Sequence, residues 1–143
     1  MLVAKINAGI VPHGREDIAQ MILTAFAEAG FGVPQQLAAL ANAMEESNLN
    51  PAAAAVGPEE AVGLFQLDRR HGLGSGHTKA ELEDPSINIR IIVSAAQKSR
   101  EFTDATTIGD AVAAFVSQIE RPADKAGAID RRTKIAERLA QTA

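Results

Sequence analysis

Between Pro51 and Thr78 the chain loses every helical signal. Gly57-Pro58, Gly63, Gly72, Gly74 and Gly76 punctuate the stretch, and only Val62 to Leu67 is suited to a short strand. On both sides of it apolar residues recur with the period of a helix. Any fold must therefore combine a helical body with one small glycine-rich lobe, irregular or built as a β-hairpin. That is an α+β class in which α predominates.

The helical segments carry their own stop and start signals. Ile18, Met21, Ile22, Ala25, Phe26 and Ala29 share one face, so a helix is expected from about Arg15 to Ala29, ended by Gly30. Pro34 suits the first turn of a second helix through Leu37, Leu40, Ala41 and Met44. It should end near Ser47, because Asn50-Pro51 disfavours continuation. After the lobe, Thr78 and Glu81 form a capping box for one short helical turn, and Asp84-Pro85 opens a longer helix through Ile89, Ile92, Val93 and Ala96. Thr107 with Asp110 precedes Val112, Phe115, Val116 and Ile119, and Arg121-Pro122 breaks that helix. A last helix places Ala126, Ile129, Ala136 and Leu139 or Ala140 on one face. Five main helices result, with no repeat or linker to divide residues 1–143 into more than one domain.

Composition narrows the function classes. Hydrophobic residues make up 46% of the 143, enough to bury a core. The net charge of −4 argues against nucleic acid as a partner, since phosphate binding wants a basic face. The charge is unevenly spread: residues 1–60 carry two basic and seven acidic groups, and residues 61–143 carry twelve and eleven. Without cysteine there is no disulfide or thiolate metal site, and His71 and His77 lack the spacing of a helical zinc pair, so no cofactor or metal is expected. They read as solvated loop histidines. The opening Met1-Leu2-Val3-Ala4-Lys5 is not a secretory signal, and no segment is long enough to insert in a membrane.

The chemistry concentrates at Glu46-Ser47 and, seventeen residues on, Gly63-Leu64-Phe65-Gln66. A carboxyl closing a helix can protonate a leaving oxygen, and an amide-bearing wall can hold a sugar. On a helical wheel Glu46 lies opposite the Leu37–Leu40–Met44 stripe, in line with Ala39, Asn42 and Ala43, while Glu45 sits on the stripe's edge. Periodicity does not choose between the two acids. For Glu46 to serve as an acid, the lobe must cover that alanine-lined face, with Leu64 or Phe65 desolvating the carboxyl. Strand alternation would put Leu64 and Gln66 on one face and Phe65 and Leu67 on the other. Asp68 is the nearest candidate for a second carboxylate, with Glu59, Glu60 and Glu120 behind it. The pairs Arg69-Arg70 and Arg131-Arg132 could meet an anionic glycan, although such charges are more often solvated.

These segments resemble the soluble lytic transglycosylase and phage endolysin branch of the lysozyme superfamily. There a helix ends in Glu-Ser, Asn-Pro follows, and a Gly-Leu-(Met/Phe)-Gln segment comes after it. Asp84-Pro85-x-x-Asn88-Ile89 is similar to the helix opening after the active-site lobe, and the run from Ala113 to Pro122 resembles a phage-lysin segment ending in an acid and proline. Phe115 stands where transglycosylases carry a tyrosine, so that hydroxyl is absent. The likeness covers about residues 17 to 138.

The resemblance implies a lysozyme-like fold and cleavage of the β-1,4 bond between N-acetylmuramic acid and N-acetylglucosamine. It selects Glu46 over Glu45 as general acid and base, because in these families the acid directly precedes the serine. It also implies substrate contacts from Ser47, Leu64, Phe65, Gln66, Asp68, Phe115 and Gln118. A lytic transglycosylase is the leading reading, and a muramidase using Asp68 as second carboxylate is the alternative. A non-catalytic wall-binding or virion structural domain on the same scaffold is a reading of another class, and a helical partner-binding domain is a third. The expected partner is the peptidoglycan glycan strand, met by a monomer. A chain made in the cytoplasm of a phage-infected host, acting on its wall and lacking an export signal, fits that role. So does a domain cut from a longer polypeptide. With no Trp or Tyr, any sugar-stacking surface falls to Phe65, Phe115 or Phe102.

Overall fold

The computed structural model describes residues 1–54 and 60–141. Gly57-Pro58 and Glu59, a turn and a carboxylate singled out from the sequence, lie outside the described residues. A 3₁₀ turn at Ala8–Ile10 precedes α1 (Glu16–Glu28) and α2 (Val33–Ser47). The lobe comes next, with β1 (Ala61–Val62) and β2 (Leu67–Asp68). Then come α3 (Lys79–Glu83), α4 (Pro85–Gln97), α5 (Arg100–Asp104) and α6 (Ile108–Ala114). A π-helical turn over Phe115–Glu120 and α7 (Lys125–Ala140) complete the chain. The class is α+β with α predominant, as the sequence indicates. Besides the five longer helical segments there are two short ones: α3, which the capping box announces, and α5, which the sequence pattern does not reveal.

Local chemistry explains the boundaries. Gly30 takes φ +94 and ends α1, with the Phe31 N–H reaching back to the Phe26 carbonyl. Asn48 takes the left-handed conformation just after α2, and Leu49 adopts it too with its side chain buried. Thr78 and Glu81 form the reciprocal capping box, and Asp84 caps α4 by accepting from the Ser86 N–H.

Helix α2 is the axis of the molecule. Every residue from Gln35 to Ala43 is buried, and α1, α6 and α7 all pack on it. A helix covered all round needs partners for its polar side chains. The Gln35 amide donates to the Phe102 and Ala105 carbonyls, while Gln36 bridges Leu2, Ala4 and Phe31. The alanine face that carries Glu46 is therefore covered chiefly by α6 and α7, and not by the glycine-rich lobe that the sequence pattern suggests.

All five phenylalanines belong to one buried series of ring contacts. It runs from Phe31 and Phe26 through Phe102 and Phe115 to Phe65, with centroids 5.1–6.3 Å apart. The series ties the lobe to the helical body through apolar packing.

The lobe departs from the expected continuous strand over 62–67. Only Ala61–Val62 and Leu67–Asp68 pair, antiparallel, with a tight turn between them. Gly63 makes the turn possible at φ +86; a Cβ there would come within 2.3 Å of both Asn88 Nδ2 and the Leu82 carbonyl. Asn88, fully buried on α4, accepts from the Phe65 N–H and donates to the Val62 and Leu82 carbonyls. The Gly63 and Asn88 motifs are thus two halves of one joint.

Candidate active site

Glu46 sits one residue before the end of α2, with 22% of its side chain exposed. The next helical turn toward the N-terminus places Asn42 on the same face, fully buried. Facing both is Arg132, which α7 projects inward on the stripe Ala128, Arg132, Ala136 and Leu139. Its side chain is only 4% exposed. Burying a guanidinium is costly unless its donors are matched, and here they are. Nη2 donates to Glu46 at 2.5 Å, Nη1 to Asn42 Oδ1 at 2.6 Å and to Glu120 at 3.3 Å, and Nε to Glu45. Asn42 is oriented in turn by donating its amide to the Ala38 carbonyl. Arg131 also pairs with Glu45, on the solvent side of the cluster.

Glu120 completes the constellation. The π-helical turn delivers it, closing with the Arg121 N–H on the Val116 carbonyl at 2.8 Å and Arg121 in the left-handed region. An extra residue in a turn rotates the residues downstream of it by about 100° relative to a continued α-helix. The Glu120 side chain is 6% exposed, and its Oε1 is buried with no hydrogen-bond partner. Burial, and then the neighbouring Glu46 charge, push its carboxyl well above the ordinary range, with Arg132 pulling the other way. Glu45 is the opposite case. Burial works against its charge, but its bonds to Arg132 and Arg131 prevail and hold its pKa down.

With Glu120 carrying a proton, Glu45 and Glu46 match the charges of Arg131 and Arg132, and Asp124, 3.8 Å from Arg131, adds one acid on the solvent side. Glu120 and Glu46 are both acceptors when ionised, so contact between them becomes a hydrogen bond only if one is protonated. The arrangement is two carboxyls on one buried cation, one enclosed with its pKa raised by burial and the other with an edge open to solvent.

The other residues singled out from the sequence have different placements. Leu64, Phe65 and Phe115 are fully buried and present no wall to a sugar; they are core residues that fix the lobe on the body. Ser47 is buried, and its hydroxyl donates to the Ala43 carbonyl at 2.9 Å. Gln66, at φ +49, gives its amide hydrogens to the Ala53 and Gly63 carbonyls, both at 3.0 Å, stitching the lobe to the loop after α2. Asp68 accepts from the Arg70 and His71 N–H groups and shapes the loop after β2. Gln118 is exposed on a hollow with Leu73, Arg90 and Lys98, which contains no member of the Arg132 cluster.

Other expectations need correction. Arg132 is no solvated charge but the centre of the site, and Glu120 is buried where a surface acid is the default. On α7, Ala126 and Ala140 are exposed, and Ala128 and Arg132 take the inner stripe. His77 is half-buried, not a freely solvated loop side chain, and its Nδ1 lies 3.9 Å from Glu81. Sequence reasoning misses Asn42 and Arg132 as a pair. The available signal is a charged residue at i+4 and i−4 from the small apolar Ala128 and Ala136.

An open hollow of about 710 Å³ also adjoins the end of α2, lined by Met44, Ser47, Asn48 and Asn50 with His13 and Arg15. Met44 lies on the opposite side of the helix from Glu46, and Ser47 is turned about 100° away from it. The hollow therefore adjoins the helix that bears Glu46 without including its carboxyl.

A family model described as phage tail lysozyme matches residues 17–142. The chain belongs to the phage tail lysozyme family. No curated protein and no solved structure gave a match. Family membership makes this a lysozyme-like glycosidase directed at peptidoglycan. Among the described residues no helix is long and apolar enough to cross a membrane.

Proposed function

We propose that this lysozyme domain cleaves the β-1,4 bond between N-acetylmuramic acid and N-acetylglucosamine as a lytic transglycosylase, with Glu46 as the general acid and then the base. The observation that carries the reading is the partly open Glu46 carboxyl, held by Arg132 together with the buried Glu120 carboxyl. A donor of this kind needs a proton near neutral pH and access to a leaving oxygen. Glu46 would give its proton to the bridging oxygen as the C1–O bond breaks. The substrate's acetamido carbonyl would bond to C1 and carry the positive charge. Glu46, now a carboxylate, would take the proton of the muramic acid C6 hydroxyl while O6 displaces the acetamido oxygen, giving an anhydro sugar and restoring the acid.

The engagement of the other carboxyls favours this route over two-carboxylate hydrolysis. Those mechanisms place their two acids about 5–5.5 Å or about 6.5–9.5 Å apart, on either side of the scissile bond. Glu120 instead shares the Arg132 guanidinium with Glu46, and its side chain is 6% exposed against 22% for Glu46. Asp68 is engaged by two backbone N–H groups. Purified peptidoglycan tests the proposal. Glu46→Gln should lower cleavage by about 10²-fold or more while glycan binding persists. Muropeptides released by the wild type should be one water lighter than hydrolytic fragments. Wild-type levels of cleavage by Glu46→Gln would remove Glu46 from the mechanism, and fragments of unshifted mass would make the enzyme a muramidase. A wild-type protein that binds wall but releases nothing would be a binding or virion structural domain.

A further inference from the structure

We infer that Glu120 is a positioning residue which holds one proton in common with Glu46 and passes it to Glu46 when glycan covers that carboxyl. The inference rests on the proposed role of Glu46 and adds the source of its proton. It starts from geometry. Glu120 Oε2 is occupied by Arg132 Nη1 at 3.3 Å, whereas Oε1 is enclosed and has no donor to accept from. A buried carboxylate oxygen with nothing to accept is costly; the same oxygen bearing a proton and facing another carboxyl is satisfied. Glu46 is the other carboxyl held on the same end of the guanidinium, on Nη2 while Glu120 takes Nη1.

The charged groups around the pair come from three elements. Helix α2 supplies Glu45 and Glu46, α7 supplies Arg131 and Arg132 with its N-cap Asp124 3.8 Å from Arg131, and the π-helical turn supplies Glu120. Arg132 bonds both members of the pair at once, through Nη2 to Glu46 and Nη1 to Glu120. It therefore stabilises the negative charge on whichever carboxyl lacks the proton, and lowers the difference between the two placements. Exposure sets that difference. The Glu46 side chain is 22% exposed and that of Glu120 is 6%, so in the free protein water favours charge on Glu46 and the proton on Glu120.

A glycan laid over Glu46 removes that water and with it the asymmetry. The O–H bond of Glu120 then breaks as an O–H bond forms on Glu46, and the Glu120 carboxylate left behind stays on Arg132. Glu46 delivers the proton to the glycosidic oxygen and later regains one from the attacking hydroxyl, so the pair ends the cycle with the single proton it began with. Titration of such a pair belongs to both residues together, not to either alone.

Two measurements test this. The first does not involve activity. The side-chain carboxyl carbons of the glutamates, labelled with carbon-13, are followed by NMR against pH in the free wild-type protein. One carboxyl should stay protonated well above the range of the others. That late step should vanish in Glu120→Gln and move toward acid in Glu46→Gln, where burial acts without the second carboxyl. A step left unmoved by Glu46→Gln would overturn the sharing. If every glutamate titrates in the ordinary range, the shared proton does not exist and the inference falls, whatever the enzyme does.

The second is the pH profile of peptidoglycan cleavage by Glu120→Gln, whose amide keeps the shape and the contact with Arg132. The amide has no proton to pass on, so Glu46 must then draw its proton from solvent. The alkaline limb should move toward acid by about one pH unit or more, so that cleavage on that limb falls about ten-fold or more with substrate binding unchanged. An unmoved limb would overturn the inference. Cleavage by Glu46→Gln at the wild-type rate would instead overturn the reading of Glu46 itself, while the NMR result would still stand or fall separately.

Discussion

Arg132→Met tests the idea that one buried cation organises the site. The Met side chain refills most of the volume without a charge. Removing one member of a buried ion pair typically costs about 3–5 kcal/mol, chiefly because its partners are left uncompensated. The structure limits that cost here. Glu45 keeps Arg131, Glu46 can take water on its exposed edge, and burial, which raises the Glu120 pKa, favours its neutral form. Asn42 Oδ1 loses its 2.6 Å donor in a site without solvent. The lower end, about 3 kcal/mol, is therefore expected, which in a domain of this size lowers Tm by about 10 °C. The deficit has a defined pH dependence. Glu45 has a folded pKa held below its unfolded one, so its contribution is present above about pH 4.5 and lost as pH falls through the folded value. Thermal melts followed by circular dichroism near pH 7 and near pH 4 check both statements. A Tm within about 2 °C of wild type near neutrality, or a deficit undiminished in acid, would refute the reasoning.

The opposite behaviour is expected of Glu120→Gln. The folded pKa of Glu120 is raised above the ordinary glutamate value of 4.5, so wild-type stability falls as pH rises from there toward the folded value. The variant escapes that loss and should match wild type near pH 4 but gain on it steadily toward about pH 7, as read by denaturant titration. A variant that falls behind wild type as pH rises would contradict the assignment. Gly63→Ala combines a positive φ with a Cβ 2.3 Å from Asn88 Nδ2 and the Leu82 carbonyl. It should destabilise by more than the ~1 kcal/mol of an ordinary glycine substitution, and amide exchange should rise first across Val62, Phe65 and Leu67. Protection unchanged at those amides would mean that the joint to α4 does not hold the lobe.

How much of this the sequence carries depends on whether a feature is local. Helix ends are local, and Gly30, Pro34, Thr78, Asp84 and Arg121-Pro122 all act where the sequence places them. The turn at 63–66 is hidden because Leu64, Phe65 and Leu67 are all buried, so no alternation exists to report a strand. The same burial removes them from any sugar-facing wall. Phe65 and Phe115 carry the apolar contact between lobe and body, and five phenylalanines in one series leave no ring to line a groove. A single residue pattern, Gly-Leu-Phe-Gln, therefore describes a way of fastening the lobe.

The site itself is long-range, and that is why its sequence signal is weak. Glu46 and Arg132 are 86 positions apart, and each taken alone reads as a surface charge. What distinguishes Arg132 is its place between Ala128 and Ala136, since a guanidinium on an inner stripe must find carboxylates there. The acids on offer are Glu45 and Glu46, adjacent on α2 and about 100° apart, so one face of α7 can engage both. Arg132 takes one oxygen from each and still reaches Glu120. The choice between Glu45 and Glu46 then becomes physical. Glu45 is held ionised by two arginines, which suits it to fixing Arg132 in place. Glu46 shares Arg132 with a buried carboxyl whose pKa is raised by burial, and that neighbour is the reason for proposing Glu46, not Glu45, as the acid.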